Sequence, residues 1–256
     1  MSIIPKFNNL AIVQARCSSS RLPRKVLSPI LGKPMIVHEL ERLQRSQCID
    51  KIILATSTDS SDDPLVEIAE SIIEVYRGNL DDVLDRYYQC AKLYQPENVV
   101  RITGDCPVID WRIVDKVIGQ HLEEGNDYTS LTERFPDGLD TEVFKFAALE
   151  RAWREAKLNS EREHVTLYIR KHPEIFKLGK RDCAEDFSAM RWTVDEPQDF
   201  EFIQKIFAAL YPQEKDFGMK DILQLLDSQP ELKKINAGIQ RNEGLQKSLK
   251  LDELRR

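Results

Sequence analysis

No Cys-x-x-Cys pair occurs in this sequence, and no His-Glu-x-x-His. Its five cysteines (Cys17, Cys48, Cys90, Cys106, Cys183) are odd in number and widely spaced, and its four histidines (His38, His121, His164, His172) are scattered. These absences argue against a disulfide framework and a zinc site, and point to a reduced, cytoplasmic protein. A run of about 18 apolar residues is also missing, so no membrane span is expected. The opening "MSIIPKFNNLAIVQA" has too short an apolar stretch for a signal peptide and leads straight into a strand-like segment. Excess positive charge is lacking as well. The formal net charge is −6, so no global field draws the chain to nucleic acid. Neither the GxxxxGK[ST] phosphate loop nor the GxGxxG dinucleotide fingerprint is present. There is no internal repeat.

What is present is a rhythm. The 256 residues suffice for one substantial core. Short apolar runs alternate with segments of helical periodicity. Strands are predicted at Leu10–Gln14, Lys51–Ala55, Glu74–Tyr76, Asn98–Ile102, Tyr128–Leu131, Glu142–Phe144, Phe176–Leu178 and Met190–Val194. Helices are predicted after Pro34, after Asp63-Pro64 with Asp63 as N-cap, over Val83–Ala91, from Asp110, and at Lys145–Ala156, Ser160–Lys171, Pro197–Leu210 and Met219–Leu226. Strand–helix alternation through Leu122 is the pattern of a mostly parallel α/β sheet with helices on both faces. Residues 1–228 read as one domain. The less regular 126–186 is an inserted subregion for a second substrate or a partner. Residues 229–256 read as a polar, solvated tail.

In such a sheet, ligands bind beyond the carboxyl ends of the strands. After the first strand comes "QARCSSSRLPRKVL", with Arg16, Arg21, Arg24 and Lys25 crowded together in an acidic chain. Backbone N–H groups around Ser18–Ser20, hydroxyls and guanidinium forks there could cradle a di- or triphosphate. After the fourth strand comes "RITGDCPVID", where Gly104 permits an unusual turn and Asp105 follows. "RWTVDEPQDF" places Asp195 after another apolar run. Both aspartates would stand on one rim, where Mg²⁺ takes one or two carboxylates plus phosphate oxygens. Taken singly, Asp105 reads equally well as a turn or cap residue, and for Asp195 or Glu196 capping the helix that follows is the commoner role.

These segments carry a resemblance. With "GKPMIVHELERL", "ILATSTDSSDDPL", "VYRGNLDDVLDRY", "GLDTEVF" and "REHV", the chain is similar to the sugar-acid cytidylyltransferases, which include the acylneuraminate and 3-deoxy-octulosonate enzymes. Within them it most resembles the branch of spore-coat polysaccharide biosynthesis protein F. The resemblance implies a Rossmann-like nucleotidyltransferase fold and a cytoplasmic, Mg²⁺-dependent homodimer. It implies transfer of CMP from CTP to a sugar-acid hydroxyl with release of pyrophosphate. Arg16, Arg21 and Lys25 would hold the triphosphate, with Ala15, Ser19 and Ser20 lining it. Asp105 and Asp195 would bind magnesium. Ala55, Thr56, Ser57, Arg77 and Gly78 would line base and ribose. Asp140, Glu142, Arg162 and His164 would face the sugar. The branch has Met-Gly where Cys17-Ser18 stand, and glycine where Arg24 stands. A non-catalytic nucleotide or nucleotide-sugar sensor on the same fold is the alternative.

Overall fold

The computed structural model describes residues 8–19 and 21–254. One seven-stranded sheet organises the molecule, in the order β5-β4-β1-β6-β8-β7-β9. β1 (Asn9–Gln14), β4 (Lys51–Ser57), β5 (Glu74–Gly78) and β6 (Asn98–Thr103) run parallel to one another. β8 (Glu142–Lys145) is antiparallel to β6 and to β7 (Tyr128–Leu131), while β9 (Leu178–Arg181) runs parallel to β7. A small hairpin of β2 (Pro29–Ile30) and β3 (Lys33–Pro34) stands apart. The chain moves outward from β1 through β4 to β5, then returns to place β6 on β1's other side. The ends of β1 and β6 therefore flank a reversal of strand order, where a cleft opens.

Alternation along β1 feeds two cores. Ala11 and Val13 point into one, with α1 (Met35–Leu43), α4 (Trp111–Glu124) and α8 (Pro197–Leu210). Leu10 and Ile12 point into the other, with α3 (Val83–Tyr94) and α5 (Phe146–Glu155). This explains the unbroken apolar run of β1, because both of its faces are buried. The 126–186 region adds β7, β8 and β9 to the same sheet. All five cysteines are free. Among the described residues no helix is long and apolar enough to cross a membrane.

Several expectations need correction. The strand predicted at Phe176–Leu178 runs instead over Leu178–Arg181. Met190–Val194 forms no strand. Trp192 N and Thr193 N donate to Asp137 O at 2.6 and 3.0 Å, and Val194 N donates to Asp105 O at 2.8 Å, so loops take its backbone bonds. The helix predicted over Ser160–Lys171 breaks into α6 (Asn159–Glu163) and α7 (Leu167–Lys171), because Val165 sits at φ 42°. The N-cap of α2 (Asp63–Glu70) is Asp62, not Asp63. Nor is the tail a solvated coil. After α9 (Met219–Ser228), a 3-10 turn at Pro230–Lys234 leads to α10 (Glu243–Leu254), which returns to the edge of the cleft.

Candidate active site

The rim of the sheet is assembled by close backbone approach. Gly104 N donates to Gln14 O at 2.7 Å. A Cβ on Gly104 would lie 2.7 Å from Ala15 Cβ and 3.1 Å from Gln14 O. Glycine is needed here for proximity, not for the unusual turn expected from sequence, and it brings Asp105 beside the loop that follows β1. Lys25, in a short 3-10 turn closing that loop, then reaches across. Its Nζ donates to Asp105 Oδ2 at 3.2 Å, Asp195 Oδ1 at 2.8 Å and Val194 O at 2.6 Å. Burial disfavours the ammonium, but the two aspartates outweigh it and hold the Lys25 pKa above its ordinary value. Burial would likewise raise Asp195, yet Lys25, Arg21 and Arg191 pull it down.

Arg21 pairs with Asp195 at 2.9 Å and with Glu243 of α10 at 3.3 Å. Arg16 is exposed and has no hydrogen-bond or ion-pair partner among the described residues. Ser19 is half-buried in the same loop. Ser20 lies outside the described residues. Arg24 is exposed at φ 58°, ψ 23°, a left-handed position that explains the glycine expected there.

The base-and-ribose segment has a different character from that expected. Ala55, Thr56 and Ser57 are fully buried. The Thr56 and Ser57 hydroxyls both donate to Asp62, Thr56 Oγ1 at 2.9 Å, and Asp62 also accepts Cys17 N at 2.6 Å. Asp62 thus ties the ends of β1 and β4 together. Burial alone would raise its pKa, but these donors lower it. Arg77 bonds Ser57 O and Asp59 O at 2.9 Å each and pairs with Asp63 at 2.7 Å, so it braces the same loop. Gly78 ends β5 where a Cβ would press on Tyr76 and Arg86. Sequence reasoning missed Asp62, whose only signal was its place five residues beyond an apolar strand.

Beside this rim opens a cavity of about 530 Å³. Asp105, Asp140, Glu142, His164 and Asp195 line it, as does Arg21. Its inner end is a polar network on β6 and β8. Glu142 accepts from Arg101, from the Tyr128 hydroxyl and from Thr166 Oγ1 at 2.7 Å. Burial pushes Glu142 up, but Arg101 and Arg170 hold its pKa below the ordinary value. Arg170 is exposed and lines the cavity, and its guanidinium has no hydrogen bond or ion pair among the described residues. His164 Nε2 lies 3.0 Å from Ser248 Oγ. Burial lowers its pKa, so the ring is neutral near pH 7. Arg162 does not join this group. Its guanidinium is bound to Asp82, the N-cap of α3, at 2.6 Å and to Trp153 O at 2.7 Å.

Three further residues went unrecognised in the sequence. Arg191 pairs with Asp137 at 2.7 Å and with Asp195 and Asp199 at 3.0 Å each. Gly138, at φ 106°, leaves no room for a Cβ against Trp192 and Thr193 and so presses Asp137 toward Arg191. Arg241, from the tail, pairs with Asp140 at 2.9 Å and Asp137 at 3.4 Å. An open chain of alternating charge results: Glu243, Arg21, Asp195, Arg191, Asp137, Arg241 and Asp140.

Asp105 and Asp195 offer oxygen donors that already converge on one cation, the Lys25 ammonium. That donor set fits a hard cation of the Mg²⁺ type, although no group of three or more ligating side chains forms among the described residues.

Residues 10–235 match the family model of the cytidylyltransferases. An uncharacterized protein of Methanocaldococcus jannaschii is 37% identical over 236 residues, 90% of this chain and 95% of that one. The spore coat polysaccharide biosynthesis protein SpsF of Bacillus subtilis is 32% identical over 230 residues, 87% of this chain and 95% of that one. The solved structure of a cytidylyltransferase from Leptospira borgpetersenii superposes with a TM-score of 0.85 at 30% identity, covering 92% of this chain and all of that one.

Proposed function

The chain belongs to the cytidylyltransferase family, and from that premise we propose that it transfers CMP from CTP to a hydroxyl of a sugar acid, releasing pyrophosphate, in surface-polysaccharide or glycoconjugate synthesis. The observation that carries this reading is Lys25 Nζ held by Asp105 and Asp195 together at the switch point of the sheet. A cation and two carboxylates there, beside a cavity, are the parts that phosphoryl transfer requires: charge neutralisation and positioning.

The acceptor oxygen attacks the α-phosphorus, and the bond to the bridging oxygen of pyrophosphate breaks. Arg16, free of partners, would take phosphate oxygens directly. Arg21 and Lys25 would exchange their carboxylate partners for phosphate and neutralise charge on the departing pyrophosphate. Asp105 and Asp195 would hold Mg²⁺. When bound, Mg²⁺ supplies Lewis acidity and lowers the pKa of an attacking hydroxyl. Asp62 and Arg77 keep the loops after β1 and β4 in register under the nucleotide. In the cavity, unpaired Arg170 suits the acceptor's carboxylate, and neutral His164 can accept or donate one hydrogen bond to a hydroxyl.

Pyrophosphate release from CTP and Mg²⁺ with a panel of octulosonic and nonulosonic acids tests the reaction. Turnover with at least one acceptor is expected. CTP binding without turnover on any of them would favour the non-catalytic alternative. Asp105→Asn should abolish turnover with the melting temperature little changed, because the neighbouring segment is held by the Asp105 backbone carbonyl rather than its side chain. Near-normal turnover in that variant would remove Asp105 from the mechanism.

A further inference from the structure

The tail after residue 239 forms part of the cavity wall. Gln240, Arg241, Asn242, Glu243 and Leu245 all line it. Of these, Arg241 is the most heavily committed. It donates from Nη1 to Glu133 O and Phe135 O at 3.1 Å each, and from Nη2 to Asp140 Oδ1 at 2.9 Å, while Nε lies 3.4 Å from Asp137 Oδ1. One guanidinium thus fixes the 133–140 loop at two carbonyls and two carboxylates. Asp140 takes its remaining bond from Gly138 N at 2.9 Å. The two aspartates repel one another. Burial and then Asp140 push Asp137 up to about 7, against the pull of Arg241 and Arg191. Without Arg241 the pair would have lost one of its two counter-charges and the bonds that set its orientation. Arg241 also lies beyond residues 10–235, the part matched to the family model.

We propose that the tail is a working wall of the acceptor site, and that Arg241 is a positioning residue that aims Asp137 and Asp140 at the hydroxyls of a polyhydroxylated acceptor. This rests on the acceptor side of the function proposed above. Arg241 makes no direct contact, among the described residues, with the loops after β1 and β4 on which the nucleotide side is built. Its loss is therefore felt by one substrate and not the other.

The test uses the full chain and the sugar acid turned over most efficiently in the panel. Michaelis constants for acceptor and for CTP are measured in Arg241→Ala, Arg241→Lys, Asp140→Asn and, as a surface control, Lys233→Ala. Arg241→Ala should raise the acceptor KM by about tenfold or more, with the CTP KM within about twofold. Arg241→Lys keeps the charge but not the fork, and should fall between. Asp140→Asn should raise the acceptor KM as well, and Lys233→Ala should change neither constant. An acceptor KM within about twofold of the unaltered protein, or a parallel rise in both constants, overturns the assignment while leaving the proposed reaction intact. Should Arg241→Ala fail to fold, the Lys and Asn variants decide the matter by the same split. Absence of turnover by the unaltered protein with every acceptor overturns the proposed reaction, and this assignment with it.

Discussion

Arg24 is the residue at which local preference and tertiary need disagree most plainly. Its backbone is left-handed, its side chain is exposed, and its N–H donates to Cys17 O at 2.9 Å to close the loop. A side chain in that region costs about 1–2 kcal/mol, and glycine's extra unfolded-state freedom returns roughly 0.5–1. Arg24→Gly should therefore be neutral to stabilising, by up to about 1 kcal/mol, in urea denaturation. Clear destabilisation would mean that the Arg24 side chain does something the contacts do not reveal. The cationic loop was legible from sequence because four charges in an acidic chain need no partner to be noticed. Asp62, Arg191 and Arg241 were not, since the contacts that reveal them are distant in sequence: Cys17 for Asp62, Asp137 for Arg191 and Asp140 for Arg241. Thr56 and Ser57, expected from the resemblance to line base and ribose, are buried, and sequence shows the donor and not its acceptor. Asp62 takes both.

At the scale of elements, strands with two buried faces were read well, and segments whose backbone bonds go to loops were not. β1, β4 and β6 announced themselves as apolar runs. Residues 190–194 looked the same, yet they bond Asp105 and Asp137. The break between α6 and α7 has no sequence signal at all. A β-branched residue at φ 42° is costly, and nothing in "REHVTLY" advertises it. Its effect is to set His164 and Thr166 on the cavity wall. The junction of β1 with β6 is the element contact most sensitive to substitution. Gly104→Ala would force a Cβ into Ala15 and the Gln14 carbonyl. It should destabilise by about 1–3 kcal/mol, as overpacking does, and should cut turnover more than it cuts stability, by moving Asp105 away from Lys25. Denaturation and initial-rate assays on the same preparation check both halves.

For the whole molecule, the end of the sheet opposite the cleft carries its own pH sensor. His121 lies buried between Asn98 Oδ1 at 3.1 Å and Thr129 Oγ1 at 3.0 Å. Burial, then Lys145, lower its pKa from 6.5 to about 4. The unfolded chain therefore binds a proton between those values while the folded chain does not. Stability contributed by the neutral ring is present above about pH 6.5 and is lost as pH falls toward 4. The loss reaches about 3 kcal/mol. In His121→Gln the dependence of stability on pH over that window should flatten, and equal slopes in the two proteins would contradict the assignment.

α10 buries only Ser248 and Asp252, and none of its leucines enters either core. Its attachments are the bonds of Ser248 to His164 and Glu163, the pair of Glu243 with Arg21, and Asp252 against the Ser160 amide. Contacts of that kind weaken in salt and release no ordered water worth the name, unlike the apolar seams that hold α1, α3, α4, α5 and α8. The helix is thus the piece of the fold with least reason to melt in step with the rest. Hydrogen exchange in its amides should proceed by a separate, shallower opening that concentrated sodium chloride makes easier, while the amides of β1 and β6 wait for global unfolding.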